Sequence, residues 1–303
     1  MSVRGFAMNN KLCLGTVQFG LKYGINNVLD RQPDINECFD ILDYAMAHGV
    51  TCFDTASGYG NAEQILGKYA NFDSTVKIVS KLKPQVVASE VLQQSIVHDC
   101  QETLVRLNQK KLYGYLLHHA EDMYNNRVLD DLQKCKEVGL TENIGVSVYT
   151  PEEAMYAAKN TKLDFIQIPY NVLDQRLNFN GFFTVAKQHN IKVFARSAFL
   201  QGMLTLEIEK LEAKMPEAVA YIAKFDKICK SFGFTRKEAA FLFCYCHPAI
   251  DYVVFGVDTV AQLNENVTLI KRRECFQDCY KTLYGTFTNV KNEIINPSMW
   301  VNK

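Results

Sequence analysis

Eight short apolar runs recur along the chain, and their number and spacing limit the possible folds more than any other feature. Each run is rich in Val, Ile, Phe and Tyr, as expected for parallel strands that are buried on both faces. Amphipathic stretches with a helical period of 3.6 residues separate the runs, for example INECFDILDYAMAHG at 35–49. The runs are KLCLGTV (11–17), VTCFDTA (50–56), VKIVSKL (76–82), LYGYLLH (112–118), NIGVSVY (143–149), DFIQIPY (164–170), IKVFARS (191–197) and DYVVFGV (251–257).

Strict alternation of eight strands with helices predicts an α/β fold, a (β/α)8 TIM barrel. The structural alternative is a doubly wound open sheet, which usually carries a GxGxxG loop after its first strand. Here the first run continues into GTVQFGLKYG, which lacks that motif, so the barrel is favoured. Because no linker or repeat interrupts the pattern, we predict a single domain over residues 1–303. The long stretch 199–220 and the tail after 274 are predicted to lie over the C-terminal face of the barrel.

Composition argues against several classes of function. Lysine plus arginine equals aspartate plus glutamate, 33 against 33, which argues against general binding to nucleic acid or an acidic membrane. No apolar run reaches the ~18 residues of a membrane helix, and the N-terminus lacks the apolar segment of a signal peptide. The ten cysteines are scattered through apolar segments, which predicts reduced thiols in a cytoplasmic protein. The densest group, CYCH at 244–247, lacks a second pair of ligands, so no metal site is predicted.

Four ionisable residues fall at the ends of neighbouring strands. Asp54 closes the second run and Tyr59 lies in the loop after it, while Lys81 closes the third run and His118 the fourth. Each has an ordinary structural explanation, such as a capping aspartate or a buried, hydrogen-bonded histidine. Because catalysis in barrels occurs at the C-terminal ends of the strands, however, all four are expected to meet at one rim.

The chemistry of a tyrosine explains this grouping. A free tyrosine has a pKa near ~10, and a neighbouring ammonium favours the phenolate. Lys81 would supply that charge, Asp54 would keep Lys81 charged and aimed, and His118 would orient the oxygen of a substrate. The predicted result is a general acid, Tyr59, that protonates a carbonyl oxygen.

The sequence resembles the aldo-keto reductase family over most of its length. DTASGYGNAEQILGKY matches the family pattern DTA…YGN-SE-LLG, and the segments VSK and LHHAE supply the remaining catalytic positions. By this resemblance the family's tetrad corresponds to Asp54, Tyr59, Lys81 and His118. IGVSVYTPEEA, QIPYNVLDQ, ARSAFLQGML and FGVDTVAQLNENV match further family segments in order. The opening GTVQFGLKYG resembles a bacterial branch that is often associated with sugar and surface-polysaccharide metabolism.

The resemblance implies a barrel that binds NAD(P)H without a dinucleotide-binding Rossmann motif. It assigns the nicotinamide carboxamide to Ser147 and Gln167, the pyrophosphate to Ser197, Leu200 and Gly202, and the adenine to Glu265 and Asn266. Residues near the reactive end of the cofactor would be Gly15, Thr16, Val17 and Asp54.

Three departures from the family pattern concern the cofactor. Val148 replaces a common asparagine, and Arg196 stands where an aromatic residue often stacks on the nicotinamide; a guanidinium is planar and can also stack. Gly256, Asp258 and Gln262 occupy the stretch where relatives that prefer NADPH usually carry a basic clamp for the 2′-phosphate. An aspartate repels that phosphate, so the sequence predicts that NADH is accepted.

The leading functional hypothesis is an NAD(P)(H)-dependent oxidoreductase that interconverts a small-molecule carbonyl, with a sugar-like compound as one candidate, and its alcohol. A catalytically weak, nicotinamide-binding regulatory subunit is the second hypothesis, and the intact tetrad argues against it. A lyase or isomerase that uses the same tyrosine is the third. The substrate pocket is predicted to be built from residues 17–23, the 120–127 loop, the 199–220 stretch and the tail.

Overall fold

The computed structural model describes residues 10–25, 27, 29–83 and 95–300, and these form a closed barrel of eight parallel strands. Each strand pairs with the next in the sequence, and the last pairs with the first to close the barrel. This confirms the predicted (β/α)8 architecture. The strands are β1 (Leu12–Gly15), β2 (Cys52–Asp54), β3 (Lys77–Leu82), β4 (Leu112–Leu117), β5 (Thr141–Ser147), β6 (Phe165–Pro169), β7 (Lys192–Arg196) and β8 (Tyr252–Gly256).

Helices follow the strands and surround the barrel. They are α1 (Val17–Gly20), α2 (Ile35–Ala47), α3 (Ala62–Lys68), α4 (Ile96–Leu107), α5 (Asn126–Glu137), α6 (Pro151–Lys159), α7 (Phe182–Gln188), α8 (Ile208–Lys214), α9 (Val219–Ser231), α10 (Arg236–Tyr245), α11 (Val260–Leu269), α12 (Gln277–Leu283) and α13 (Asn292–Ile295). Short 3-10 helices cover Ala120–Tyr124, Arg176–Asn178, Leu200–Thr205, Pro216–Ala218, Ile270–Arg272 and Pro297–Met299. The helix predicted over 89–108 is α4; residues 89–94 lie outside the described part of the chain.

Helix starts follow the capping signals of the sequence. Thr150 accepts a hydrogen bond on its side chain from the amide of Glu153, and the carboxylate of Glu153 accepts one from the amide of Thr150, which completes a capping box before α6. The same reciprocal pair forms at Asp34 with Glu37 before α2, and at Thr235 before α10. These local signals fix where each helix leaves its loop, and thereby where the preceding strand end lies.

The interior of the barrel is a packed core. Its side chains come from every strand except β5 and are Cys13, Cys52, Val79, Leu116, Phe165, Phe194 and Val254. Below them, at the N-terminal mouth, Lys77 donates to the hydroxyl of Tyr252 at 2.9 Å and Lys192 to that of Tyr113 at 3.0 Å. Because these residues fill the lower barrel, a ligand is expected to bind at the upper, C-terminal mouth.

The tail packs against the segment that follows β6. Gln175 donates to the carbonyl of Leu283 at 2.9 Å and accepts from the amide of Gly285 at 2.8 Å. Arg176 reaches Asn292 at 3.2 Å. Since this segment leaves the C-terminal end of β6, the tail lies over the C-terminal face of the barrel, as predicted.

The cysteines are all free thiols, and eight of the ten are buried. Cys246 is half-buried and Cys275 is exposed. Within the described residues, no helix has both the length and the apolar character needed to cross a lipid bilayer.

Candidate active site

A cavity of about 630 Å³ opens at the C-terminal ends of the strands, where the sequence predicts the active site. Its volume falls within the range of pockets that hold cofactors and small ligands. The residues predicted from the sequence that line it are Gly15, Val17, Asp54, Tyr59, Lys81, His118, Ser147, Gln167, Arg196, Ser197, Gly202, Gly256, Asp258, Gln262, Glu265 and Asn266.

Asp54 and Lys81 form a buried ion pair on adjacent strands. The Nζ of Lys81 lies 2.5 Å from Oδ2 of Asp54, and the two side chains are 1% and 4% exposed. The same ammonium donates to the carbonyl of Thr55 at 3.0 Å. Burial lowers the pKa of Lys81, but Asp54 and the nearby Tyr59 together raise it by more, so the net pKa is raised. The lysine therefore stays charged in a fixed position.

Tyr59 lies directly beside that lysine. Its hydroxyl is 3.4 Å from the Nζ of Lys81, which also lies 5.0 Å from the centroid of the ring. Burial raises the pKa of Tyr59, while the charge of Lys81 lowers it; burial prevails and the net pKa is raised. The lowering expected from the sequence is therefore present but outweighed. At neutral pH the phenol carries its proton, as a general acid must.

Two glycines let the loop that carries Tyr59 touch α1. A Cβ atom at Gly20 would lie 1.7 Å from the carbonyl oxygen of Tyr59, and one at Gly60 would lie 2.3 Å from the carbonyl of Gly20. Gly60 also has a φ of +54°, in the left-handed region that favours glycine. The carbonyl of Tyr59 in turn accepts the amide of Ala62 at 3.0 Å, at the start of α3. The glycines in GTVQFG and GYGN therefore position the tyrosine.

His118 follows β4 and packs edge-on against Tyr59, with ring centroids 5.8 Å apart. Burial, together with the positive charge of Lys81, lowers the pKa of His118 to about 3. The imidazole is therefore neutral near pH 7 and can donate or accept a hydrogen bond without adding charge.

Ser147 ends β5 and lies opposite Gln167, the middle residue of β6, in the sheet. Both are 1% exposed. Gln167 donates from Nε2 to Oδ1 of Asp54 at 2.7 Å, so the residues predicted to bind cofactor contact those predicted to be catalytic.

Arg196 ends β7 and lines the same end of the cavity. Its guanidinium carbon lies 4.4 Å from the ring centroid of Tyr149. Nη2 donates to the carbonyl of Val148 at 2.9 Å, and Nη1 lies 3.4 Å from the hydroxyl of Ser197. The planar group is thus held by a ring on one face and by a carbonyl at one edge.

Asp258 marks the other end of the cavity, beside α11. Its carboxylate accepts from Asn27 at 2.9 Å, and its amide donates to Oε1 of Gln262 at 2.6 Å. Lys237, which reaches the cavity from α10, forms an ion pair with Glu265. Two carboxylates and one ammonium therefore line this end.

The segment after β7 carries an unusual backbone. Ser197, Leu200 and Gln201 have φ angles of 65°, 48° and 53°, in the left-handed region that residues with side chains rarely adopt. Gln201 donates to the hydroxyl of Tyr23 at 3.0 Å and accepts the amide of Ile25 at 3.1 Å. These bonds join the loop after β1 to the loop after β7 across the mouth of the cavity.

Two residues assigned to the cofactor site from the sequence do not line the cavity. Thr16 is fully buried, and its hydroxyl donates to the carbonyl of Asp54 at 3.1 Å, so it joins the ends of β1 and β2. Leu200 is also fully buried and packs in the core.

The 120–127 loop and the tail, predicted as pocket walls, do not line the cavity among the described residues either. In the loop, the ring of Tyr124 packs on that of Tyr156 at 4.7 Å. In the tail, Trp300 donates to the carbonyl of Glu293 at 3.0 Å.

Gln18 and Gln201 lie in stretches predicted to form the pocket, but the roles of Asn27, Tyr149 and Lys237 as lining residues were not predicted. Gln18 lies in the quoted opening GTVQFGLKYG, and its amide fills the space that a Cβ at Gly256 would need, 2.3 Å away. Lys237 lies on α10, where no sequence motif indicates a functional site, and only the packing of that helix brings Lys237 to the cavity.

Unpaired polar atoms in the cavity wall fit a dinucleotide. Among the described residues, Oε1 of Gln18, Oδ1 of Asn27 and Oδ1 of Asn266 are buried without a hydrogen-bond partner. Buried polar atoms normally have partners, so these three acceptors in the cavity wall fit a ligand that brings hydrogen-bond donors. A nicotinamide dinucleotide carries such donors in the amino group of its adenine, the hydroxyls of its riboses and the amide of its carboxamide.

Comparison with known proteins identifies the class of protein that this fold and site define. The model of the aldo/keto reductase family matches residues 11–283, so the chain belongs to that family. It is therefore an NAD(P)-dependent oxidoreductase of the carbonyl-reducing type. The family implies a small-molecule carbonyl substrate.

Individual relatives are distant. The chain is 23% identical over 288 residues to the chloroplastic pyridoxal reductase of Arabidopsis thaliana, covering 84% of this chain and 76% of that protein. It is 21% identical over 269 residues to the uncharacterized oxidoreductase YqkF of Bacillus subtilis, covering 82% and 87%. Among solved structures, the holo form of aldo-keto reductase AKR11C1 from Bacillus halodurans superposes with a TM-score of 0.70 at 19% identity, covering 92% of this chain and 95% of that one. At this identity the structural likeness shows the fold.

Proposed function

We propose that this protein reduces the carbonyl group of a small molecule with NADH and that Tyr59 donates the proton. The observation that carries the proposal is the buried chain of contacts from Asp54 through Lys81 to the hydroxyl of Tyr59, at 2.5 Å and 3.4 Å. It ends in the cavity on a phenol that holds its proton at neutral pH. We also propose that residues 1–303 form one domain.

Each of the four residues at the reactive end has a distinct role. Tyr59 gives the proton on Oη to the carbonyl oxygen of the substrate. Lys81 stabilises the phenolate that remains, because an adjacent ammonium favours the charged form of a phenol. Asp54 keeps Lys81 charged and aimed, and the neutral His118 hydrogen-bonds the substrate oxygen so that it faces Tyr59.

The nicotinamide, when bound, supplies the hydride. We assign its carboxamide to Ser147 and Gln167, next to the catalytic residues, and the adenine to Glu265 and Asn266 at the other end. Between them, we assign the pyrophosphate to Ser197 and Gly202, which line the cavity and belong to the segment with left-handed backbone. Gly15 and Val17 line the wall at the reactive end.

The charges beside α11 favour NADH over NADPH. A 2′-phosphate near Gly256 and Gln262 would face the carboxylate of Asp258. The ammonium of Lys237 is paired with Glu265, so a 2′-phosphate would have to compete with that carboxylate for the charge-assisted bonds of a clamp. A ribose hydroxyl could instead donate to Asp258 without repulsion.

A regulatory subunit that binds the cofactor and turns over little is the second candidate. The complete group of Asp54, Tyr59, Lys81 and His118 favours the enzyme, because a site retained only for binding has no need of the proton donor. Enzymatic turnover separates the two.

The proposal is tested with a panel of carbonyl compounds that includes pyridoxal, after the name of the Arabidopsis relative, together with aldoses and simple aldehydes. Oxidation of NADH and NADPH is followed by absorbance. Carbonyl-dependent oxidation of NADH supports the proposal. Tight cofactor binding with no oxidation across the panel favours the regulatory subunit. Product formation with no change in cofactor redox state favours a lyase or isomerase.

A further inference from the structure

Arg196 carries an unbalanced positive charge at the reactive end of the cavity. The neighbouring ammonium of Lys81 is neutralised by Asp54 at 2.5 Å, and His118 is uncharged near pH 7. Among the described residues, no carboxylate forms an ion pair with Arg196; its polar contacts are the carbonyl of Val148 and the hydroxyl of Ser197. This end of the cavity therefore has a net charge of about one positive unit.

That charge is fixed in place. The guanidinium stacks over the ring of Tyr149 at 4.4 Å, and the 2.9 Å bond to Val148 holds one edge. A stacked, hydrogen-bonded guanidinium is pre-organised, unlike a lysine on a flexible stem. Arg196 thus presents a rigid cation to whatever occupies the space next to Tyr59.

We propose that Arg196 lets the site discriminate between the two oxidation states of the dinucleotide, binding the reduced form more tightly than the oxidised form. The inference rests on the proposed function, because it requires the nicotinamide to lie at Ser147 and Gln167. The sheet register places Ser147 opposite Gln167, and Pro169, two residues further along the same strand, opposite Arg196. The oxidised ring carries one positive charge and the reduced ring carries none, so a fixed cation nearby repels only the oxidised form.

The consequence concerns the direction of the reaction. Loss of a hydride from the bound nicotinamide would create a positive ring beside a positive guanidinium, and this repulsion would weaken binding of the oxidised product. A site of this kind suits reduction of a carbonyl, in which the reduced dinucleotide must bind and the oxidised one must leave. Together with the excess of carboxylates over cations beside α11, the charge distribution matches NADH better than NAD⁺, NADP⁺ or NADPH.

An uncompensated cation could instead bind an anionic group on the substrate. That role would leave the relative affinities of the two oxidation states unchanged and would raise KM only for carbonyl compounds that carry a carboxylate or phosphate. The stacking on Tyr149 favours the cofactor role, because a planar group backed by a ring presents a flat surface to a second ring rather than a fork to an anion.

The test measures dissociation constants for NADH and NAD⁺ without substrate, by calorimetry, for the wild type, Arg196→Gln and Arg196→Lys. We expect the wild type to bind NADH at least about tenfold more tightly than NAD⁺, a difference of about 1.4 kcal/mol. Arg196→Gln should bring the ratio close to one by strengthening NAD⁺ binding. Arg196→Lys, which keeps the charge, should retain most of the ratio. Thermal melts establish that both variants are folded.

Several outcomes would overturn the inference. It fails if the wild type binds NAD⁺ as tightly as NADH, or if Arg196→Gln weakens both forms equally, as loss of stacking alone would. It also fails if that variant changes only the KM of anionic carbonyl compounds.

The proposed function fails separately, and the inference with it, if the wild type binds neither dinucleotide. If the wild type turns over normally but Arg196→Gln leaves the ratio of NADH to NAD⁺ affinity unchanged, only the inference fails.

Discussion

Gln167 donates a hydrogen bond from its side-chain amide to Oδ1 of Asp54 at 2.7 Å. The second oxygen of that carboxylate holds the ammonium of Lys81 at 2.5 Å. Both oxygens of a nearly inaccessible carboxylate are therefore engaged, one by a residue assigned to the cofactor and one by a residue assigned to proton transfer. A disturbance of Asp54 should consequently affect both functions, whereas a disturbance of Tyr59 should affect only one.

Lys81→Met should lower both stability and turnover. The substitution leaves Asp54 buried without its partner, and breaking a buried pair in this way typically costs about 3–5 kcal/mol in the free energy of unfolding. Turnover should fall because the phenolate of Tyr59 loses its stabilising charge. Chemical denaturation together with steady-state kinetics measures both effects.

The matched control is the double variant Lys81→Met with Asp54→Asn. It removes both charges and keeps an oxygen that can accept from Gln167. Stability should be largely restored while turnover stays low. Recovery of turnover in the double variant would show that the ion pair has no part in the chemistry.

Gly20→Ala should lower turnover through the position of Tyr59. The added methyl would lie 1.7 Å from the carbonyl oxygen of Tyr59, so the loop or α1 must move. A misplacement of about 1 Å can cost roughly 10²-fold in rate. Gly58→Ala is the control, because a Cβ at Gly58 meets nothing within 4 Å. Equal rates for the two variants would contradict the positioning role of Gly20.

The fold was predictable because strands and helices alternate along the whole chain, and caps such as Thr150 mark helix starts. The burial of individual side chains was not predictable in the same way. Within the amphipathic stretch that forms α2, for example, Ile35 is 36% exposed, whereas Cys38 and Ile41 are fully buried. Ile35 is the first residue of the helix, directly after the cap Asp34, where the chain still lies at the surface.

The reactive end of the site was predictable because Asp54, Lys81 and His118 come from strand ends, whose place in a barrel is fixed by the fold. The residues at the end of the cavity beside α11 were less predictable. Lys237 reaches it from the side of α10, and Asn27 reaches it from the loop after β1. Neither position is set by strand order, so local sequence could not reveal them. The raised pKa of Tyr59 was missed because burial is a property of the folded chain.

The protein should lose stability below pH ~6.5 because of two histidines, the partly buried His118 and the buried His247. Burial lowers the pKa of His118 to about 3 and that of His247 to about 4. An unfolded histidine has a pKa near ~6.5, so between pH ~6.5 and those values the unfolded chain binds protons that the native protein does not. As the pH drops, each histidine therefore lowers the free energy of unfolding by up to about 1.4 kcal/mol per pH unit.

Denaturation curves between pH 4 and 8 test this for the wild type, His118→Asn and His247→Asn. Each variant should show a shallower loss of stability than the wild type over this ~4-unit range, with His118→Asn also impaired in turnover and His247→Asn fully active. An unchanged slope in both variants would show that other groups control the acid transition.

Cofactor preference should respond to the carboxylates beside α11. Asp258→Asn removes a repulsion, and Glu265→Gln frees Lys237 to meet a phosphate. Each should improve NADPH affinity relative to NADH by about tenfold, or about 1.4 kcal/mol. Glu137→Gln, on the exposed end of α5, changes the net charge equally and should have no effect. A wild type that binds NADPH a hundredfold more tightly than NADH, a gap of about 2.8 kcal/mol, would overturn the preference.

The most direct test of the account is the turnover number of Tyr59→Phe with a carbonyl substrate found in the panel. The variant keeps the ring against His118 and removes only the hydroxyl beside Lys81. If Tyr59 is the proton donor, kcat should fall by roughly 10²–10⁴-fold, the usual contribution of general acid catalysis, while the dissociation constant for NADH stays unchanged. A Tyr59→Phe enzyme that reduces the carbonyl within a few-fold of the wild-type kcat would contradict the proposed role of the buried Asp54, Lys81 and Tyr59 chain.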